Sequence, residues 1–376
     1  MKRSPMAANI TGGGPMILHA PVFSDLPWLV HGFTTRLGGV SRFDGSAAAG
    51  HDLNLGKAPW DKPKNVLENR RRMLSELRAN GLTLVTLRQL HSDMIRVAGP
   101  IIPRAGDGLI TNRPGLLLSI LAADCLLLLI ADTKQRVVAA VHCGWRGTAR
   151  AIAQKTVGLM RMSFGSRLHD LRAAIGPGIR VCCYKVGPEV KGEFEGQFPY
   201  AKKLFSFRNE PPSPLEEKYP RLFKTYKSPG FRTFHEPGDD TRQMYLDLVL
   251  ANVMQLQEAG ISRGHIWSQT PCTSCHPELF FSHRRDSGRT GRMMGVIGIR
   301  AMDRQQTVSI SHRATEGTGA RGQGTEKARF RAATVLRSRV RTFGRRAVRE
   351  RVFVATAKRS VPWVCAPERT RNVPTA

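Results

Sequence analysis

Leu116-Leu117-Leu118-Ser119-Ile120-Leu121-Ala122-Ala123-Asp124-Cys125-Leu126-Leu127-Leu128-Leu129-Ile130 runs almost without a polar break. Ser119 and Asp124 interrupt it, and Gly115 and Asp132 bound it. A membrane span needs about 20 apolar residues, so this shorter run with an acid inside it reads as buried strand. It is either one long strand or two short ones around Ala122-Ala123-Asp124-Cys125. Val137-Val138-Ala139-Ala140-Val141 follows as another strand, ending in His142. Gly144 to Gly147 then turns the chain into a helix over about 148–162, with Thr148 as its N-cap.

The same periodicities extend in both directions. Leu29 to Phe33 reads as a strand, and 34–41 as a polar, Gly-rich turn. Residues 65–80 have helical spacing with Gly81 as the stop. Residues 84–90 read as a strand that delivers His91. Toward the C-terminus, 205–240 is rich in Pro, Lys and Arg and reads as an inserted loop region. Residues 244–259 read as an amphipathic helix closed by Gly260, and 293–299 as a last strand. Strands and helices alternate without a strict βαβ cadence, so a mixed sheet is expected rather than a doubly wound parallel one. Three parts are expected: a leader over 1–17, one catalytic domain over 18–302 and a basic, disordered tail over 303–376.

The composition bounds the function classes. The chain has 376 residues, 41% of them hydrophobic, which supports a core and excludes full disorder. It carries 58 Lys and Arg against 29 Asp and Glu, a net charge of +29. Residues 303–376 alone hold 17 Lys and Arg against 5 Asp and Glu. Such a balance fits anionic partners, nucleic acid through the tail among them, and equally an Arg-rich composition without a special partner. The seven cysteines are odd in number and not spaced as a disulfide scaffold. The first residues lack an apolar signal region. A reducing cytoplasm is therefore expected, with thiols available for metals or catalysis.

His91, Cys125 and His142 stand out because each adjoins an apolar strand. Two imidazoles and one thiolate would give a zinc ion three protein ligands and leave one position open, the pattern of a catalytic site. A buried free cysteine with two hydrogen-bonded histidines explains the same residues, and Cys125 could also act as a nucleophile with His91 or His142 as base. Asp124 could orient a histidine or act as acid/base, although strand alternation points it away from Cys125 unless a bulge intervenes. Arg36, Arg146, Arg284 and Arg285 lie in turns, where guanidinium groups suit phosphate or carboxylate. Cys272-Thr273-Ser274-Cys275-His276 matches a haem-attachment pattern but reads best as a loop into the last strand. A structural zinc formed with Cys182-Cys183 is a further possibility, although the spacing is not a standard one.

Several segments resemble the YfiH-like "laccase-domain" family. They are His31-Gly32-Phe33-Thr34-Thr35-Arg36, Gln89-Leu90-His91-Ser92, Ala123-Asp124-Cys125, and His142-Cys143-Gly144-Trp145-Arg146-Gly147. Gly176-Pro177, Phe280 to Arg285 and Thr290-Gly291-Arg292 continue the match in order, from about residue 18 to 300. The resemblance implies an α/β fold, a mixed-sheet layered sandwich of the kind shared with deamidating toxins. It implies a metal site on His91, Cys125 and His142, with zinc, or else copper, as the cofactor. It implies phosphorolysis of adenosine, inosine and methylthioadenosine, together with adenosine deamination; the sequence leaves the oligomeric state open, with a monomer as the default expectation. Asp124 is then the acid/base candidate, and Arg36, Arg146 and Arg284 the substrate contacts. Editing of peptidoglycan precursors by an amidase needs the same three residues. A nucleic-acid-associated protein on a degenerate scaffold is a third possibility, working through the tail. Multicopper oxidation fits poorly, because the eleven histidines form no H-x-H pairs.

Overall fold

A computed structural model describes residues 14–43, 51–209 and 242–301. The first residues of the expected leader, most of the basic 205–240 region and the tail over 303–376 lie outside the described residues.

The long apolar run divides at Ala123-Asp124-Cys125, and its two halves belong to different sheets. Its first half, β7 (Leu116–Ala122), sits in a five-stranded sheet. The order there is β1 (Ile17–Leu18), β2 (Leu29–Thr34), β14 (Met293–Ile299), β7 and β4 (Thr83–Val85). Its second half, β8 (Leu126–Asp132), sits in a six-stranded sheet. That order is β13 (Ile266–Trp267), β10 (Leu171–Ile175), β8, β9 (Val138–Cys143), β6 (Gly108–Thr111) and β5 (Ile95–Val97). The β4–β7, β5–β6 and β10–β13 pairs are parallel, while β7–β14 and β8–β9 are antiparallel, so both sheets are mixed. β3 (Leu37–Ser41) occupies the expected Gly-rich turn and bridges Asp52 at both of its ends.

The two sheets face each other. Leu118, Ile120, Phe33 and Ile297 from one meet Leu127, Leu129, Val138 and Ala140 from the other in a shared core. Alternate residues of β8 point the opposite way: Leu126, Leu128 and Ile130 pack on helices. A strand covered on both faces cannot afford polar alternation, which is why its sequence is solidly apolar. Each wholly buried leucine there contributes roughly 2 kcal/mol. The covering helices are α2 (Trp145–Ala149), α3 (Ile152–Phe164), α4 (Pro188–Gln197) and α5 (Leu248–Glu258). On the far side of the five-stranded sheet, α1 (Pro63–Glu76) places Met73 against Val30, Leu117 and Met294. The result is the expected layered α/β sandwich.

Several boundaries differ from those read in the sequence. The helix expected over 148–162 is two helices, because Ala151 takes a left-handed conformation at φ 59°. Gly144 is the N-cap, and Thr148 lies inside α2. α1 ends before Gly81: Arg78 supplies the left-handed residue at φ 50°. The 244–259 segment begins as strand β12 (Gln243–Leu246), paired with β11 (Phe205–Arg208), and Asp247 caps α5 by accepting from the Leu250 N–H at 2.8 Å. β11 is thus ordered strand at the start of the region read as a loop. The 84–90 strand stops at Val85, and His91 sits in a loop at φ 54°.

Candidate metal centre

The site lies where the chain crosses between sheets. β6 pairs with β9 so that Gly108 is opposite Val141, which sets Asp107 beside His142. The His142 N–H donates to the Asp107 carbonyl at 2.7 Å, and His142 Nδ1 lies 2.9 Å from Asp107 Oδ1. Both side chains are buried. The Asp107 carboxylate also accepts from the backbone N–H groups of Leu90, His91 and Ser92, at 3.1, 3.1 and 2.8 Å, and from the Ser92 hydroxyl at 2.6 Å. One acid therefore fixes the His142 ring and the backbone of the loop carrying His91. Gln89 ties that loop to β7 by exchanging hydrogen bonds with Leu121.

Cys125, the last residue of the crossing, completes the cluster. The ligand atoms of His91, Cys125 and His142 all lie within 4.8 Å of one another. The two imidazoles meet edge to face, with centroids 4.9 Å apart. Gly144 closes the cluster from below: a Cβ there would stand 3.1 Å from Cys125 Sγ and 3.4 Å from His91 Cδ2. His91 is exposed while His142 is buried, so the cluster opens to solvent on one side. With Nδ1 held by Asp107, His142 presents Nε2, as a metal-binding histidine does. The donor set and its compactness fit a metal ion.

The electrostatics agree. Burial pushes the Cys125 thiol up, but the charge of His142 and hydrogen bonds from His142 and His91 outweigh it and bring it down to about 6. Burial lowers His142, yet the Cys125 charge and the Asp107 bond raise it to about 9. Asp107 is pushed up by burial, and the bonds from His142 and Ser92 more than reverse that, holding it well below the usual carboxylate range. In the metal-free chain this is a thiolate–imidazolium pair backed by a carboxylate.

Asp124 takes a left-handed conformation at φ 87°, so the strand alternation that would point it away from Cys125 does not apply. Its carboxylate accepts from the Thr273 hydroxyl and from the Arg284 N–H, each at 2.6 Å. Both oxygens are engaged by the protein, an arrangement that braces two loops rather than frees an acid/base. Arg36 is 2% exposed and donates from Nε to Asp52 at 2.7 Å and from a terminal nitrogen to the Pro277 carbonyl, over the Phe281 ring. That corrects its reading as a substrate contact, because the guanidinium is packed inside the protein. Arg146 is exposed over Trp145, and Arg284 is exposed over Tyr184. Arg285 holds the 273–280 loop through the Thr273 and Phe280 carbonyls. His276, of the haem-like pattern, is paired with Glu278.

Three residues at the site were not singled out from the sequence. Asp107 was legible as a turn residue and as part of a segment shared with the family, Asp107-Gly108-Leu109-Ile110-Thr111, but not as the partner of His142. Tyr184 interacts electrostatically with Cys125, Asp124, Arg146 and Arg284, and burial and the Cys125 charge push its phenol up. Arg292 donates to the Thr290 and Gly291 carbonyls; burial lowers it, and the charges of Cys125 and Asp124 act on it in the opposite direction.

The fold and site define a mixed α/β sandwich with a His-Cys-His cluster at a sheet-to-sheet crossing. The family model described as multi-copper polyphenol oxidoreductase laccase matches residues 30–222 and 212–300. The chain belongs to that family. It is 35% identical over 283 residues to the purine nucleoside phosphorylase YlmD of Geobacillus stearothermophilus, covering 72% of this chain and 90% of that one. It is 29% identical over 294 residues to the mouse purine nucleoside phosphorylase LACC1, of which it spans 59% while 77% of this chain is covered. The crystal structure of the Bacillus licheniformis protein YfiH superimposes with a TM-score of 0.62 at 30% identity, over 78% of this chain and 98% of that one. No helix among the described residues is long and apolar enough to cross a membrane.

Proposed function

We propose that the chain is a zinc-dependent purine nucleoside phosphorylase acting on adenosine, inosine and methylthioadenosine, with adenosine deaminase activity at the same site. The observation that carries this is the His91–Cys125–His142 cluster, open on one side, in a chain whose relatives are named purine nucleoside phosphorylases. Those three residues would hold the ion. A bound zinc would supply Lewis acidity and activation of an oxygen nucleophile at its open position. Asp107 keeps the His142 ring in one orientation and fixes the tautomer. Arg146 and Arg284 carry the phosphate charge, with Arg292 as a further cation beside Cys125. Tyr184 keeps its proton and can donate to the nucleoside. Asp124 positions Thr273 and the Arg284 backbone; Arg36 braces the wall through Asp52. The domain over 18–302 suffices for this chemistry, and a cytoplasmic setting keeps Cys125 reduced.

One geometric feature favours a second reading. Cys125, His142 and Asp107 also have the order of a nucleophile, its base and the base's orienting acid, as an amidase editing peptidoglycan precursors would need. Metal content and adenosine turnover, with and without phosphate, separate the two in wild type and His142→Ala. One zinc fewer in the variant than in wild type, adenine released only with phosphate, and turnover lost in the variant support the phosphorylase. Inosine as product identifies deamination. Zinc without nucleoside turnover, or turnover unaffected by the substitution, overturns the proposal.

A further inference from the structure

Four cysteines that the catalytic reading does not use converge on one point. Cys182 and Cys183 lie in the loop after β10, and Cys272 and Cys275 in the loop after β13. An isolated bridge between Gly178 and Cys272, with the Thr273 N–H donating to the Gly178 carbonyl at 3.1 Å, brings the loops together. All four sulfurs lie within 4.8 Å of one another. Cys275 Sγ is 3.5 Å from Cys182 Sγ and 3.3 Å from Cys183 Sγ. A disulfide would need about 2.05 Å. A tetrahedron of thiolates at about 2.3 Å from a central zinc has sulfur–sulfur edges of about 3.8 Å, close to what is seen.

The surroundings suit anionic sulfur. The Arg180 N–H donates to Cys272 Sγ at 3.4 Å, and the Arg180 side chain interacts electrostatically with Cys272 and Cys182. Arg208 donates to the Cys182 carbonyl at 3.1 Å and to the Val181 carbonyl at 3.0 Å. Four thiolates on a dication leave two negative charges, and these arginines and the backbone N–H offset them.

We propose that Cys182, Cys183, Cys272 and Cys275 bind one thiophilic divalent ion, zinc or iron, as a second and closed metal site. It is structural, because four protein sulfurs leave no open position. It pins two loops to each other at the wall of the first site. Tyr184 follows Cys183, and Thr273, which holds Asp124, stands between the two cysteines of the other loop.

The test uses the full chain purified under reductant without chelator. Metal per chain and cobalt(II) absorption are compared in wild type, His142→Ala and Cys272→Ser/Cys275→Ser. Two ions in wild type, one in each variant, and a strong thiolate-to-cobalt charge-transfer band that survives His142→Ala but not the cysteine changes support the site. Equal metal in wild type and the cysteine variant overturns it, as does a disulfide among the four by peptide mapping. If the cysteine variant fails to fold, cobalt titration of wild type decides: charge transfer from five thiolates over two ions supports the site, and from one thiolate on one ion overturns it. A chain that keeps the four-sulfur ion but turns over no nucleoside separates this proposal from the catalytic one.

Discussion

The two sulfur-bearing clusters of this molecule differ in donors, charge and enclosure. His91, Cys125 and His142 offer one thiolate and two imidazoles, with His91 exposed. Cys182, Cys183, Cys272 and Cys275 offer four sulfurs, which would enclose an ion completely. On a divalent ion the first set leaves a net positive charge and a free position, and the second a net negative charge and none. The first can polarise a substrate; the second can only hold loops together. Two neighbouring sites can thus share a metal yet divide chemistry from architecture, and donor count decides which does which.

That division can be broken most directly at the first cluster. Replacing Cys125 or His142 by Ala is expected to abolish nucleoside turnover to background and remove one ion per chain, measured by product chromatography and metal analysis. Asp107→Asn removes the orienting acid and part of the loop's hydrogen bonding. It should cost about 10–100-fold in metal affinity or turnover, checked by competition with a chelator and by steady-state kinetics. The paired substitution Cys272→Ser/Cys275→Ser should act mainly on stability. Calorimetry should show a lower melting midpoint, by about 2–4 °C per kcal/mol lost in a domain of this size, with a smaller effect on turnover than Asp107→Asn. A larger effect on turnover than on melting would erase the distinction between the clusters.

The smallest expected effect is a pH profile. In metal-free protein Cys125 ionises at about 6, so its thiolate dominates above that pH and is lost below it. Its alkylation should be level from about pH 7 upward and fall tenfold per unit below about pH 6, followed by mass spectrometry of labelled peptides. Cys143 is buried, and burial pushes its thiol up, so it should remain unlabelled in the same samples. A Cys125 profile still rising toward pH 9 would break the thiolate–imidazolium assignment.

Much of this was legible beforehand for identifiable reasons. Strands buried on both faces must be apolar throughout, so β7, β8 and β9 announced themselves. His91, Cys125 and His142 were distinguishable because polar donors beside such strands are few. Helix ends were read less well. Arg78 and Ala151 adopt left-handed conformations that residue type assigns to glycine, so the breaks they make carry no signal in the sequence. Arg36 read as a phosphate contact because a sequence does not show that Asp52 lies against it. The four-cysteine cluster was nameable only as a possibility without standard spacing, because its halves, an adjacent pair and a C-x-x-C, lie about 90 residues apart and are brought together by the Gly178–Cys272 bridge and the hydrogen bonds around Arg180.

The sequence by itself determined the mixed-sheet class, the apolar strands, the motifs that carry the family resemblance and the residue types able to bind metal. Each of these depends on local pattern, which the chain carries in its order. The tertiary structure alone decided that β7 and β8 belong to opposite sheets, that Asp107 reaches His142, that Arg36 faces inward, and that two loops bring four sulfurs to one point. Those relations depend on strand register and on contacts between distant segments. Neither is encoded in the spacing of the residues concerned, because either is fixed only when the two sheets close on their shared core.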